Sequence, residues 1–264
     1  AVTLYESRGE AGGMLVPGSR PAIKYDIVNY LEHLRAELAS ARKEAGLKLE
    51  LSASPSAEEL RSGNFDAIVA ATGSRQARPP VPGIEGRNVV FGVDLLLEPG
   101  IAAAARRVVV VGGGVVGCET AYYLAHELGK EVVVVEMLPV IMKGVCTANR
   151  GWLLHYLEER GGRILNCAKL ASGGEGEAVI RRNLSPTVPD PLVTWTPVLP
   201  ENVENPFAPK LRLQEAEERL AADLVVLAAG ARPEDSLYRG LVQAQAAPEI
   251  RAVGDCFALG RVLE

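Results

Sequence analysis

The stretch that decides the fold is RRVVVVGGGVVGCETAYYLAHELGKEVVVVE, residues 106–136. Four valines at 108–111 run straight into Gly112-Gly113-Gly114-Val115-Val116-Gly117. A β-branched run between turn signals reads as a strand buried on both faces. The segment 118–128 has helical composition, and Gly129 stands where a helix C-cap glycine belongs. EVVVVE at 131–136 is a second buried strand. Strand, glycine turn, helix and strand in this order imply a parallel pair joined by a right-handed crossover.

The glycines carry chemistry because of where they stand. Gly112-x-Gly114-x-x-Gly117 follows a strand and opens a helix, the setting in which this spacing binds a dinucleotide. The first glycine permits the tight turn. The second lets a pyrophosphate approach the backbone, and the third lets helix and strand pack closely. Val115 and Val116 then lie at the helix N-terminus, where amide donors and the positive dipole end face an anion. Glu136 comes 19 residues after Gly117. An acid there accepts hydrogen bonds from the 2′ and 3′ hydroxyls of an adenosine ribose. No cation follows it until Lys143, whereas NADP sites usually place an Arg nearby, so NAD(H) is expected over NADP(H). A distant Arg181 or Arg182 folding over the site would reverse that preference.

Further strands are expected at 1–6, 66–71, 222–229 and 249–253, and helices at 22–45, 149–160 and 214–220. This alternation places the chain in the α/β class. ARPPVPGIEG at 77–86 reads as a linker or crossing loop. The Gly- and Pro-rich region 172–210 is expected to hold short antiparallel strands at 178–183 and 192–199.

Composition excludes several classes. With 28 Lys+Arg against 33 Asp+Glu, the net charge of −5 argues against nucleic acid or an anionic membrane as the main partner. No apolar run approaches the roughly 18 residues of a membrane span. AVTLYESRGE at the start lacks the features of a signal peptide. Cys118, Cys146, Cys167 and Cys256 form no CxxC pair, which excludes a thioredoxin-like dithiol and a zinc ribbon. A reduced, cytoplasmic setting is expected. His33, His126 and His155 stand apart, so no metal site is expected.

GGGVVGCE, VVVVE, LVVLAAGARP (224–233) and IRAVGD (250–255), in this order, resemble flavoproteins with two dinucleotide-binding domains. Within that group the whole chain is similar to the C-terminal part of the 2,4-dienoyl-CoA reductase, trimethylamine dehydrogenase and 2-enoate reductase family. The resemblance implies two Rossmann-like domains, the second inserted in the first. A flavin domain would comprise 1–105 and 233–264, and a nicotinamide domain 106–232. AVTLYE resembles the second strand of the flavin unit, so that unit is expected to be truncated at both ends and not to hold FAD stably. Glu6 would hold the adenosine ribose of FAD, with Gly12 and Gly13 the backbone turn after it. Gly254 and Asp255 resemble the motif that contacts the ribityl and pyrophosphate part. Thr72 and Gly73, closing one strand, and Gly230, closing another, join the cofactor-binding set. Glu119 would meet the nicotinamide carboxamide.

The activity this implies is electron transfer: NADH docks on the Gly112–Gly117 loop and passes hydride to FAD. An upstream domain carrying FMN and a 4Fe-4S cluster would receive the electrons and serve an enoyl or dienoyl reduction. No side chain need be a nucleophile or general base, since the cofactors carry the redox chemistry. Three other readings stay open: a non-catalytic ADP-type structural module, a ferredoxin or rubredoxin reductase, and a fragment that only folds.

Overall fold

The computed structural model describes residues 1–193 and 210–260. They form two compact units, one of 77–230 with 20–22, the other of 1–19, 23–76 and 231 onward. The first is therefore inserted in the second.

The inserted unit is built on a five-stranded parallel sheet. Its order is Val89–Phe91, Leu224–Leu227, Arg107–Val111, Glu131–Val135, Arg163–Leu165. Val108, Val109, Val110 and Val111 are all buried, as a central strand covered on both faces requires. Each contributes about 1.5–3 kcal/mol of apolar burial, more than any single-residue propensity term. The helices Gly92–Leu97 and Val115–Tyr122 pack against this sheet. Val109, Val111, Val225 and Leu227 instead share a core with Ala178, Ile180, Leu220 and Ala222 of a three-stranded antiparallel sheet. That sheet runs Glu215–Ala222, Gly176–Asn183, Ala168–Gly174.

Three expectations change here. The helix expected at 214–220 is instead the strand Glu215–Ala222, which pairs along its length with Gly176–Asn183 and buries Leu220 and Ala222. The period is two, and the helix-forming glutamates occupy the exposed or half-buried positions of a sheet. The helix expected at 118–128 starts at Val115 and becomes a π-helix over Tyr123–Glu127, where the Leu128 amide reaches the Tyr123 carbonyl at 3.1 Å. The 105/106 and 232/233 boundaries move to 76/77 and 230/231. Val89–Phe91 explains the first shift, because it is the edge strand beside Leu224–Leu227. The strand expected at 192–199 falls almost wholly outside the described residues.

The other unit holds two parallel pairs, Thr3–Glu6 with Lys48–Leu51 and Ala67–Ala70 with Glu249–Ala252. Ser74–Gln76 pairs antiparallel with Ala231–Pro233. Leu60, Ile68, Ala70, Leu241 and Ala246 form its core. The helix Tyr25–Glu44 lies where 22–45 is expected, after a 3-10 turn at Ala22–Lys24. Ala57–Ser62 starts at a capping box in which Ser56 and Glu59 hold each other's backbone amides.

Candidate functional site

The three fingerprint glycines do different work. Gly112 has φ +114°, and a β-carbon there would lie 2.2 Å from the Ala228 carbonyl oxygen. A β-carbon at Gly117 would lie 1.8 Å from the Gly112 carbonyl oxygen. These two glycines let helix and strands touch. Gly114 has nothing within 4 Å of such an atom. It is the N-cap of the helix Val115–Tyr122, with no side-chain cap and no acid in the first turn. An uncapped N-terminus leaves amide donors and positive dipole potential for an anion. A dinucleotide pyrophosphate therefore fits the residues present.

Glu136 lies beside this loop and is only 8% exposed. One carboxylate oxygen accepts the Gly113 amide at 2.6 Å, the other the Leu138 amide at 2.7 Å. A carboxylate offers about four lone-pair sites, so two remain for ligand hydroxyls. The acid thus braces the Gly112–Gly117 loop through the Gly113 amide. Gly113 is held on its other side too: its carbonyl accepts the Met142 amide at 2.8 Å and the Cys118 thiol at 3.5 Å.

Cys118 is fully buried, and burial, with the Glu136 and Glu119 charges, pushes its thiol up to about 12. It is therefore a packed thiol and not a nucleophile at neutral pH. All four cysteines are free. Glu119 is half-buried on the same helix, two residues past Gly117, and Val116 is exposed. Gly230 has φ +96° and is exposed beyond the strand Leu224–Leu227, its carbonyl accepting the Ala77 amide at 2.9 Å. His126 stacks on Tyr122 at 4.8 Å and its Nδ1 accepts from Arg160, while His155 pairs with Glu159. Among the described residues no three metal-ligating side chains gather.

In the other unit, Thr72, Gly73, Gly254 and Asp255 come together beyond the C-terminal ends of Ala67–Ala70 and Glu249–Ala252. Gly73 and Gly254 have positive φ and open space around them. Asp255 accepts from Ser74 at 3.3 Å and from the Gly260 amide at 3.1 Å. The Thr72 hydroxyl donates to the Glu234 carbonyl at 2.5 Å. Glu6 ends a separate strand pair, and its carboxylate accepts the Arg8 amide at 2.9 Å. Gly13 is open, but a β-carbon at Gly12 would strike Leu31 at 2.6 Å, so Gly12 serves packing against the Tyr25–Glu44 helix.

Sequence reasoning missed Arg150, Asn166 and Asn183, all at most 5% exposed. Each holds backbone in the inserted unit: Arg150 the Val193 carbonyl, Asn166 those of Pro139 and Pro189, Asn183 that of Arg212. Polar residues in otherwise ordinary segments carry no signal that they will be buried.

The family model for pyridine nucleotide-disulphide oxidoreductases matches residues 18–183. The chain is 34% identical over 164 residues to cinnamate reductase of Clostridium sporogenes, covering 60% of this chain and 23% of that protein. It is 28% identical over 265 residues to NADH oxidase of Thermoanaerobacter brockii, covering 100% of this chain and 35% of that one. The chain thus spans about a third or less of these relatives' length. A 2-naphthoyl-CoA reductase structure shares the fold at a TM-score of 0.78 and 23% identity, over 98% of this chain and 34% of that one.

Proposed function

The chain belongs to the pyridine nucleotide-disulphide oxidoreductase family, and from that premise we propose that its inserted unit docks NADH for electron transfer to FAD. The observation that carries this is the open, uncapped helix start at Gly114 with the buried Glu136 carboxylate braced beside it. When bound, NADH would supply hydride chemistry for which FAD would be the acceptor. The chain's own residues bind and orient. The amides at Val115 and Val116 take the pyrophosphate, and the remaining lone pairs of Glu136 take the ribose hydroxyls. Glu119 is assigned to the carboxamide of the nicotinamide. Glu6, Gly13, Thr72, Gly73, Gly254 and Asp255 are assigned to the flavin dinucleotide in the other unit. Electrons would pass on to an FMN and iron–sulfur domain of a longer protein. The name of the C. sporogenes relative supports an enoate-type acceptor.

NADH is favoured over NADPH. A 2′-phosphate would bring about two charges against the buried, doubly hydrogen-bonded Glu136. Arg181 and Arg182, the cations that could compensate, face Glu217 at 3.6 Å and Glu218 at 3.8 Å on the antiparallel sheet. Lost hydrogen bonds and charge repulsion together amount to about 1–3 kcal/mol, or roughly 5- to 150-fold.

Anaerobic mixing of NADH with the protein in the presence of excess FAD tests the proposal. Rapid bleaching of the flavin is expected. Nucleotide binding without any bleaching would mark an ADP-type structural module instead.

A further inference from the structure

We propose that Asn166 is a positioning residue of the dinucleotide site, through which the 184–193 strap and the Glu136 carboxylate are seated together; this rests on the reading of that site given above. Asn166 is 1% exposed. Its one amide nitrogen donates to the carbonyls of Pro139 and Pro189, each at 2.8 Å. Proline has no backbone N–H, so the carbonyl is the only backbone group by which either loop can be hydrogen-bonded at that residue.

The two carbonyls belong to different structures. Pro139 lies three residues past Glu136, in the loop whose Leu138 amide holds the carboxylate. Pro189 lies in a strap that leaves the strand Gly176–Asn183. The corner 166–168 grips the acid's loop at three successive points. The Ala168 amide reaches the Glu136 carbonyl at 2.8 Å, the Cys167 amide the Leu138 carbonyl at 3.2 Å, and the Asn166 side chain the Pro139 carbonyl. Cys167 adopts φ +47° to make that corner, and its own carbonyl takes the Asn183 amide at 3.0 Å.

The strap is pinned at its ends as well. Asn183 accepts the Ser185 amide at 3.1 Å, and Arg150 donates to the Val193 carbonyl at 2.5 Å. Between those ends, Asn166 joins it directly to the acid's loop. Hydrogen bonds run from Pro189 through Asn166 to Pro139, and from Leu138, the residue covalently joined to Pro139, to Glu136 and on to Gly113. An isolated structural staple would hold the strap without feeling the ligand. A shared corner makes strap order and dinucleotide affinity reciprocal.

Hydrogen exchange and titration of the full chain with NADH and with ADP-ribose separate these cases. In the wild type, saturating NADH should slow amide exchange across 185–189 by about threefold or more, because the corner it stabilises also holds the strap. Asn166→Asp keeps the shape but turns the donors into an acceptor facing two carbonyls. It should weaken NADH and ADP-ribose by the same factor, about tenfold, since the corner acts on the adenosine side. NADH binding that leaves strap exchange unchanged, or an Asn166→Asp protein that binds both ligands as tightly as wild type, overturns the inference alone. A wild type that binds neither ligand overturns the site reading and takes this inference with it. Should Asn166→Asp fail to fold, the wild-type exchange experiment decides.

Discussion

At the scale of single residues, the glycine fingerprint shows how one residue type serves two ends. Gly117 leaves no room for a β-carbon, which would sit 1.8 Å from a backbone oxygen, whereas Gly114 has open space and an ordinary φ of −73°. The two substitutions should therefore separate stability from binding. Gly117→Ala is expected to lose about 1–3 kcal/mol or more, since backbone must move. Gly114→Ala should change stability by about 1 kcal/mol or less, an N-cap effect, yet weaken NADH by about tenfold or more through the lost approach to the phosphate. Denaturant midpoints and NADH titrations on both variants check this; equal stability losses would contradict the division of labour. The packing roles of Gly112 and Gly117 were legible because glycine spacing spells out backbone requirements. The brace between Glu136 and Gly113 was not, since it joins positions 23 residues apart whose meeting only the folded turn decides. Asn166 gave no signal at all: nothing around it in the sequence announces that its amide will be buried between two loops.

Elements were legible where one periodicity was unopposed. The valine runs 108–111 and 132–135 read as buried strands, and they are strands buried at every valine but the half-buried Val133. The segment 215–222 misled because EAEERLAA suits a helix locally, while its partner strand and the buried Leu220 and Ala222 decide otherwise. The starts of two central strands are tied by another device that spacing does not reveal. Asp223 accepts the Arg107 guanidinium at 2.5 Å and the amides of Arg107 and Arg106 at 2.8 and 3.0 Å. These contacts, the Arg107 side chain first, hold its carboxyl well below the usual carboxylate range. A carboxyl depressed in the folded state stabilises the fold above the unfolded value of about 3.9, and that stability is lost as pH falls through the folded value. The wild type should thus exceed Asp223→Asn in urea midpoint at neutral pH, with the gap narrowing below about pH 4. A gap that stays constant or widens on acidification would contradict the assignment.

For the whole molecule, the order of insertion could be read from motif order, but the boundaries could not. The stretch 77–105 carries no fingerprint, and only its strand Val89–Phe91, paired with Leu224–Leu227, assigns it to the inserted unit. A fragment of 77–230 should accordingly fold with a single cooperative transition. One of 106–232, lacking that edge strand and the buried Leu95 and Leu96, should be markedly less stable or aggregate. Comparable denaturation curves would return the boundary to 105/106. In the described residues, no helix is long and apolar enough to cross a membrane. On the proposed function, Gly112–Gly117 and Glu136 form a dinucleotide site built for an unphosphorylated ribose. Parallel equilibrium titrations of the full chain with NADH and NADPH test it most directly. Saturable NADH binding is expected, with NADPH weaker by about fivefold or more. NADPH binding as tight as NADH, or no binding of either, would contradict it.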